Sequence, residues 1–274
     1  MRIFLYIFTT LCFVFPVSAQ QVAGTDNLAY AKQHIRTIEN GETALKSLIR
    51  NADKHLHTEI IPVTEKNIVA PTGDKHDYVS MGPYWWPDKS KPDGLPYMRK
   101  DGQRNPEIEK LDRNKIDRLA KSVRALTYAY YFTGENKYAE KAIDNLKIWF
   151  LDSKTRMNPN LNYGQMIPGR NEGKGRAEGL IDTYSFVEIV DCIDILSSSK
   201  ATKQKDFDGF RQWFSDFLDW MLTSEIGKDE RAAKNNHGLA YDVQAARYAL
   251  FAGRNDIADE FINNFADNRL FKQI

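Results

Sequence analysis

Ala129-Tyr130-Tyr131-Phe132-Thr133-Gly134-Glu135-Asn136 returns, altered but in register, as Tyr248-Ala249-Leu250-Phe251-Ala252-Gly253-Arg254-Asn255. Phe132 aligns with Phe251, Gly134 with Gly253, Asn136 with Asn255 and Ala139 with Ala258, all at an offset of 119 residues. Each copy ends an apolar helical stretch on glycine, which enters the left-handed region without a Cβ penalty, and then opens a second helix. Recurring helical hairpins suggest a solenoid or a closed, double-layered toroid; two unrelated hairpins with a common turn are the plain alternative. The offset is several times a tetratricopeptide unit, and long irregular excursions elsewhere in the chain suit the surface loops of a toroid better.

Outward from this repeat the helical signal continues. Ile116, Leu119, Ala120, Val123, Leu126, Thr127 and Tyr130 trace one face before Gly134, and Tyr138, Ala142, Ile143, Leu146, Trp149 and Phe150 trace the next. Further helices are expected at 27–50, with Gly41 as a possible break, and at about 178–197, 204–223, 237–251 and 255–270. No segment alternates with period two, so the expected class is nearly all-α. Trp149, Trp213 and Trp220 fall at helical spacing and are expected in the core. Cys192, among Val187, Ile189, Val190, Ile193 and Leu196, is better explained by burial than by catalysis.

Two stretches break the pattern. Residues 71–106 hold six of the ten prolines, four glycines and the cluster Tyr84-Trp85-Trp86. So long a run without periodicity is usually functional in a compact domain. Residues 156–179 form a second irregular segment, rich in Asn and Gly.

Composition bounds the rest. With 38 Lys+Arg against 37 Asp+Glu and 42% hydrophobic residues, the chain is neither disordered nor a general nucleic-acid binder. Arg2, the apolar run from Ile3 to Phe15 interrupted by Thr9 and Thr10, and Pro16-Val17-Ser18-Ala19 describe a signal peptide, residues 1–19, cut after Ala19. Its apolar run is short for a membrane span, and no membrane association is expected after cleavage. Cleavage would remove Arg2 and no acid, leaving 37 basic against 37 acidic side chains, and would leave Cys192 without a disulfide partner. The expected location is the periplasm, with secretion as a further possibility. The expected domain spans residues 20–274.

The string Lys234-Asn235-Asn236-His237-Gly238-Leu239-Ala240-Tyr241-Asp242-Val243-Gln244 carries the chemistry. Asn235 or Asn236 can cap a helix starting near His237, leaving free N–H groups and the positive dipole end beside the imidazole. An anionic group would be stabilised there, and the dipole favours the neutral form of the His. On local pattern alone, a capped helix whose His merely packs is the more natural reading. His55-Leu56-His57 has no obvious acidic or Cys partner, and neither a P-loop nor a Gly-x-Ser-x-Gly elbow is present.

Asn-Asn-His-Gly followed by Tyr-Asp-x-Gln resembles the signature helix of the alginate lyase family of helical-toroid polysaccharide lyases. Met81-Gly82-Pro83-Tyr84-Trp85-Trp86-Pro87-Asp88 resembles that family's aromatic loop, and Asn162-Tyr163-Gly164-Gln165 with Pro168-Gly169-Arg170 resembles its central loop. The resemblance runs from about residue 60 to the end. One departure is Ala240, where an aromatic often precedes the Tyr-Asp pair.

The resemblance implies an all-α (α/α) toroid and β-elimination at a uronic acid in an acidic polysaccharide, alginate first, with no metal and no cofactor. It implies that Asn236 donates to the C5 carboxylate and that His237 neutralises it or takes the proton. Tyr84, Trp85 and Trp86 are expected to stack on sugar rings, with Tyr163, Gln165, Arg170, Lys174 and Arg176 nearby. Trp85 or Trp86 could instead anchor the long loop. Glu230, seven residues before His237, is a weaker candidate for the same cleft and is otherwise expected as a solvated surface acid. The family's catalytic Tyr and Arg lie downstream of the Asn-His pair. Here that region offers Arg247, Tyr248, Arg254 and Arg269, none in the family's pattern, and ends in mid-helix at Ile274. The expectation is a C-terminally truncated, incomplete toroid. The rival readings are a non-catalytic glycan-binding or scaffold toroid and a solenoid interaction module.

Overall fold

Gly134 and Gly253 both adopt the left-handed conformation, at φ 74° and 76°, and each donates its N–H to a carbonyl of the last helical turn before it. The repeat is therefore a repeat of structure. In the computed structural model, which describes residues 25–273, α3 (Arg113–Thr133) and α4 (Asn136–Phe150) meet at Gly134, and α8 (Asn236–Ala252) and α9 (Asn255–Asn263) meet at Gly253. The expected signal peptide, residues 1–19, lies outside the described residues.

The remaining helices of eight residues or more are α1 (Thr25–His34), α2 (Gly41–Leu56), α5 (Phe186–Leu196), α6 (Gln204–Thr223) and α7 (Glu225–Ala232). Helix α2 packs on α3, α3 on α4 and α5, and α8 on α5, α6, α7 and α9. The arrangement is the all-α toroid of helical hairpins. The helical stretch expected over 27–50, with Gly41 as a possible break, is two helices, the second starting at Gly41 after a left-handed Asn40 at φ 60°. The stretch expected as helix from 178 opens as a 3-10 segment, Ala177–Thr183, and the last expected helix passes into a π-helical turn, Ala266–Leu270. Helix α7 was not anticipated. Its one local signal is Ser224, whose hydroxyl accepts from the Gly227 N–H at 3.0 Å as an N-cap.

Four short strands correct the expectation of none. β1 (Val79–Met81) pairs in parallel with β4 (Tyr163–Met166), and β2 (Trp85–Trp86) pairs antiparallel with β3 (Met98–Arg99). Two to four residues are too few to show alternation, and β1 is buried on both faces, so there is no polar face to alternate with.

The core is aromatic at its centre. Phe150, Phe186, Trp213, Phe214 and Phe217 touch edge to face or tilted, apart from the stacked Trp213–Phe217 pair, with ring centroids 4.7–6.4 Å apart. Trp149 and Trp213 are buried as expected. Trp220 is only partly buried: it stacks on Phe217 and donates its indole N–H to Asn162 Oδ1 at 2.9 Å, tying the second irregular segment to α6. Cys192 is buried, and desolvation pushes its thiol far above its ordinary range.

A Cβ at either hairpin glycine must be carried in the left-handed region. Gly134→Ala and Gly253→Ala are each expected to cost about 1–2 kcal/mol of stability, read from urea titrations. Equal midpoints for variant and parent would show that the turn tolerates a side chain.

Candidate functional site

The Asn-Asn-His-Gly string forms the entry to α8. Asn235, in an extended conformation, is the N-cap, and its Oδ1 accepts from the His237 N–H at 3.0 Å. Asn236 is the first helical residue and is exposed. His237 is partly buried and turns Nδ1 to Glu230 Oε1 at 2.7 Å. Glu230 is 1% exposed, which corrects its expected place among the solvated surface acids. Burial pushes its carboxyl up to about 7, opposed by the hydrogen bond and charge of His237.

The rest of the string explains itself by packing. A Cβ on Gly238 would lie 2.1 Å from the Ala233 carbonyl oxygen and 2.4 Å from the Arg269 guanidinium, so this position has room only for hydrogen. Arg269 makes a two-pronged pair with Asp242, at 2.6 and 2.8 Å, and donates to the carbonyls of Ala233 and Arg231 at 2.8 and 2.7 Å. That guanidinium thus closes the C-terminal end of α7 and fixes the α7–α8 turn that brings Glu230 to His237. Gln244 is buried and accepts from Thr183 Oγ1 and Tyr248 OH, both at 3.1 Å, joining α8 to the 3-10 segment.

That segment holds the floor of a cleft of about 490 Å³ in front of His237. Asp182, 3% exposed, accepts from Tyr78 OH at 3.1 Å, Ser80 Oγ at 2.6 Å and Gln165 Nε2 at 3.0 Å, and pairs with Arg113. Gln165 in turn accepts from Arg176 at 2.8 Å, and Arg176 pairs with Glu178 at 2.9 Å. Arg99, Arg104, Arg113 and Arg176 line the cleft with His237 and Asn235, and Glu178 is the one carboxylate among the described residues on its wall. Arg99 pairs with Asp101 at 3.0 Å, so the cleft is rich in guanidinium groups, three of them held by a carboxylate partner.

The aromatic loop also contributes to the cleft, but its three rings part company. Tyr84, 39% exposed, and Trp85 line the cleft. The Arg170 guanidinium lies 5.2 Å above the Trp85 ring. Trp86 donates its indole N–H to the Gln103 carbonyl at 2.8 Å and sits under Lys100, so it anchors the loop instead of lining the cleft. Tyr163, expected beside the substrate, packs into the small apolar cluster of Val79, Met81, Ile108 and Leu111. It is not among the residues lining the cleft, although Gln165 of the same strand is. Arg170 is exposed and acts on Trp85 from outside the cleft lining, and Lys174 pairs with Glu172 at 3.5 Å.

Of the phenols and guanidinia downstream of His237, Tyr241 and Tyr248 are fully buried and Arg247 pairs with Asp191 and Asp194. Arg254 pairs with Asp219 and Arg269 with Asp242. None of the five lines the cleft. Sequence reasoning missed Asp182, Arg99, Arg104 and Arg113; three of them lie in or beside the irregular loop, where no spacing rule places a side chain.

The profile of the alginate lyase family matches residues 62–274. The crystal structure of an alginate lyase from Bacteroides ovatus, at 1.60 Å resolution, superposes with a TM-score of 0.91 at 52% sequence identity, covering 94% of this chain and 68% of that one. No curated protein matches. Fold, cleft and relative together define a polysaccharide lyase. The chain belongs to the alginate lyase family.

Asp242→Ala leaves the buried Arg269 guanidinium without its carboxylate. The expected loss is about 3–5 kcal/mol, measured by chemical denaturation. A change of under about 1 kcal/mol would place this pair with weak surface ion pairs and remove its role in the α7–α8 turn.

Proposed function

We propose that this chain cleaves a uronate-containing polysaccharide, alginate first among them, by β-elimination. The observation that carries the reading is the arginine content of the cleft: Arg99, Arg104, Arg113 and Arg176 share its lining with His237, edged by Tyr84 and Trp85, and three of the four are steadied by a carboxylate, Asp101, Asp182 and Glu178. Such a wall attracts a polyanion, and guanidinium groups pair with carboxylates in two-pronged fashion.

The chemistry needs that charge. The C5–H bond of a uronate is weakly acidic because it lies beside a carboxylate, and neutralising the carboxylate lowers the cost of the enolate that forms. The C5 proton passes to a base, its bonding pair becomes the C4–C5 double bond, the C4–O4 bond breaks, and O4 takes a proton from an acid. In this reading Asn236 and His237 hold the carboxylate, the arginines hold neighbouring uronates, and Tyr84 and Trp85 stack on sugar faces. Among the described lining residues, His237, Tyr84 and Glu178 carry groups able to move a proton.

Incubating the protein with polymannuronate, polyguluronate and glucuronan tests the proposal through the ultraviolet absorbance of the new double bond. Turnover of at least one polymer is expected. His237→Ala and Asn236→Ala are each expected to lower kcat/KM roughly a hundredfold or more while the circular dichroism spectrum stays unchanged. Binding without turnover would leave a glycan-binding protein instead. We also place the enzyme in the periplasm, from the signal-like start of the chain. An exported product beginning at Gln20, read by N-terminal sequencing, is the expected outcome; an intact Met1 would remove that placement.

A further inference from the structure

Gln165 is the one residue on β4 whose backbone is left-handed, at φ 49°. A non-glycine residue in that region carries a backbone cost and persists where its surroundings hold it, commonly at functional sites. The strand pairing shows how it arises. Val79 pairs with Tyr163 and Met81 with Met166, so β4 fits one residue more than β1 into the same span. Such a bulge re-aims a side chain, and the Gln165 N–H turns to Ser80 Oγ at 2.7 Å.

The re-aimed amide lies between an acceptor and a donor. Asp182 already accepts from Tyr78, Ser80 and Arg113, so the Gln165 NH2 group faces it, at 3.0 Å. Arg176 only donates, so the Gln165 carbonyl oxygen faces its guanidinium, at 2.8 Å. Both neighbours select the same orientation of the amide. At 5% exposure Gln165 itself offers a substrate little, whereas the Arg176 side chain is 27% exposed in the same cleft. The Arg176 backbone is built against β4 as well. Its N–H donates to the Gly164 carbonyl at 3.0 Å, and a Cβ on Gly175 would lie 2.6 Å from the Gly164 nitrogen.

We propose that Gln165 is a positioning residue: its amide passes the fixed position of Asp182 on to Arg176, so that this guanidinium is aimed before a neighbouring uronate of the polymer arrives. The inference rests on the lyase reading and deepens it, since it gives Arg176 the recognition of that uronate and Gln165 no contact with substrate. Glu178 holds the guanidinium from its other side at 2.9 Å, but that carboxylate is 42% exposed and the pair is of the weak, solvated kind. The buried amide is the firmer restraint. Fixing the guanidinium in advance removes an ordering cost from association.

Gln165→Asn separates positioning from packing. Asparagine is the easier residue to hold at positive φ, and its amide is one methylene too short to meet Asp182 and Arg176 together. A urea midpoint at or above the parent's is expected, together with a KM for polyuronate raised roughly tenfold at a kcat within about threefold. Arg176→Met is expected to raise KM by at least as much, and adding Gln165→Asn to it to change KM by less than about twofold more. Gln165→Met, which keeps the length and removes both hydrogen bonds, repeats the measurement should the shorter side chain disturb the bulge.

An unchanged KM in Gln165→Asn and Gln165→Met, or additive effects of Gln165→Asn and Arg176→Met, would overturn the proposal while continued polyuronate cleavage leaves the lyase reading standing. If no polyuronate is cleaved, the lyase reading fails and titration calorimetry with the same polymers takes the place of KM. Weaker binding by both Gln165 variants then keeps the positioning role, and equal or absent binding removes it.

Discussion

Asp182 takes hydrogen bonds from Tyr78 and Ser80 on the first irregular segment, from Gln165 on the second, and from Arg113 at the start of α3, while itself sitting on the 3-10 segment before α5. Four separate pieces of chain meet on one carboxylate that water barely reaches. Away from water, each donor left unmatched would carry its full desolvation penalty. The two long excursions therefore have one low-energy way to lie on the helices, and that way places Gln165 and Arg113 on the floor of the cleft. The cationic wall, the aromatic rim and the imidazole are positioned relative to this point.

The α8 entry adds a second fixed reference. Asn235 caps the helix, Gly238 leaves space for a guanidinium, and Asp242 holds that guanidinium against the end of α7. One motif thus sets the turn geometry, and Glu230 and His237 come together as a result. A string that resembles a catalytic signature is to a large extent a packing signature, because only residues of these shapes let two helix ends approach so closely.

Much of this was legible in the sequence, for identifiable reasons. Helical periodicity marked α3, α4 and α6 because each turns an apolar face to the core, α8 is buried on nearly all sides, and the repeat marked both hairpins because a left-handed turn favours glycine. Burial of Cys192 and Trp149 followed from apolar neighbours on the same face. The short strands were illegible, since β1 is buried on both sides and has no alternating pattern. Glu230 was misjudged because a carboxylate in a polar stretch is ordinarily solvated, and the partner that changes this arrives only when α7 folds back on α8. Trp86 and Tyr163 were expected at the substrate because aromatic residues in loops serve either as platforms or as anchors, and sequence alone does not separate the two.

The parallel pairing of β1 with β4 has a mechanical meaning. It couples the two excursions, with Gln165 further held by the Ser80 hydroxyl at 2.7 Å. The wall they build is one stiff plate, so neither half swings without dragging the other. Exchanging a single loop with that of a relative would break the seam between them, and any transplant of specificity has to move both pieces together.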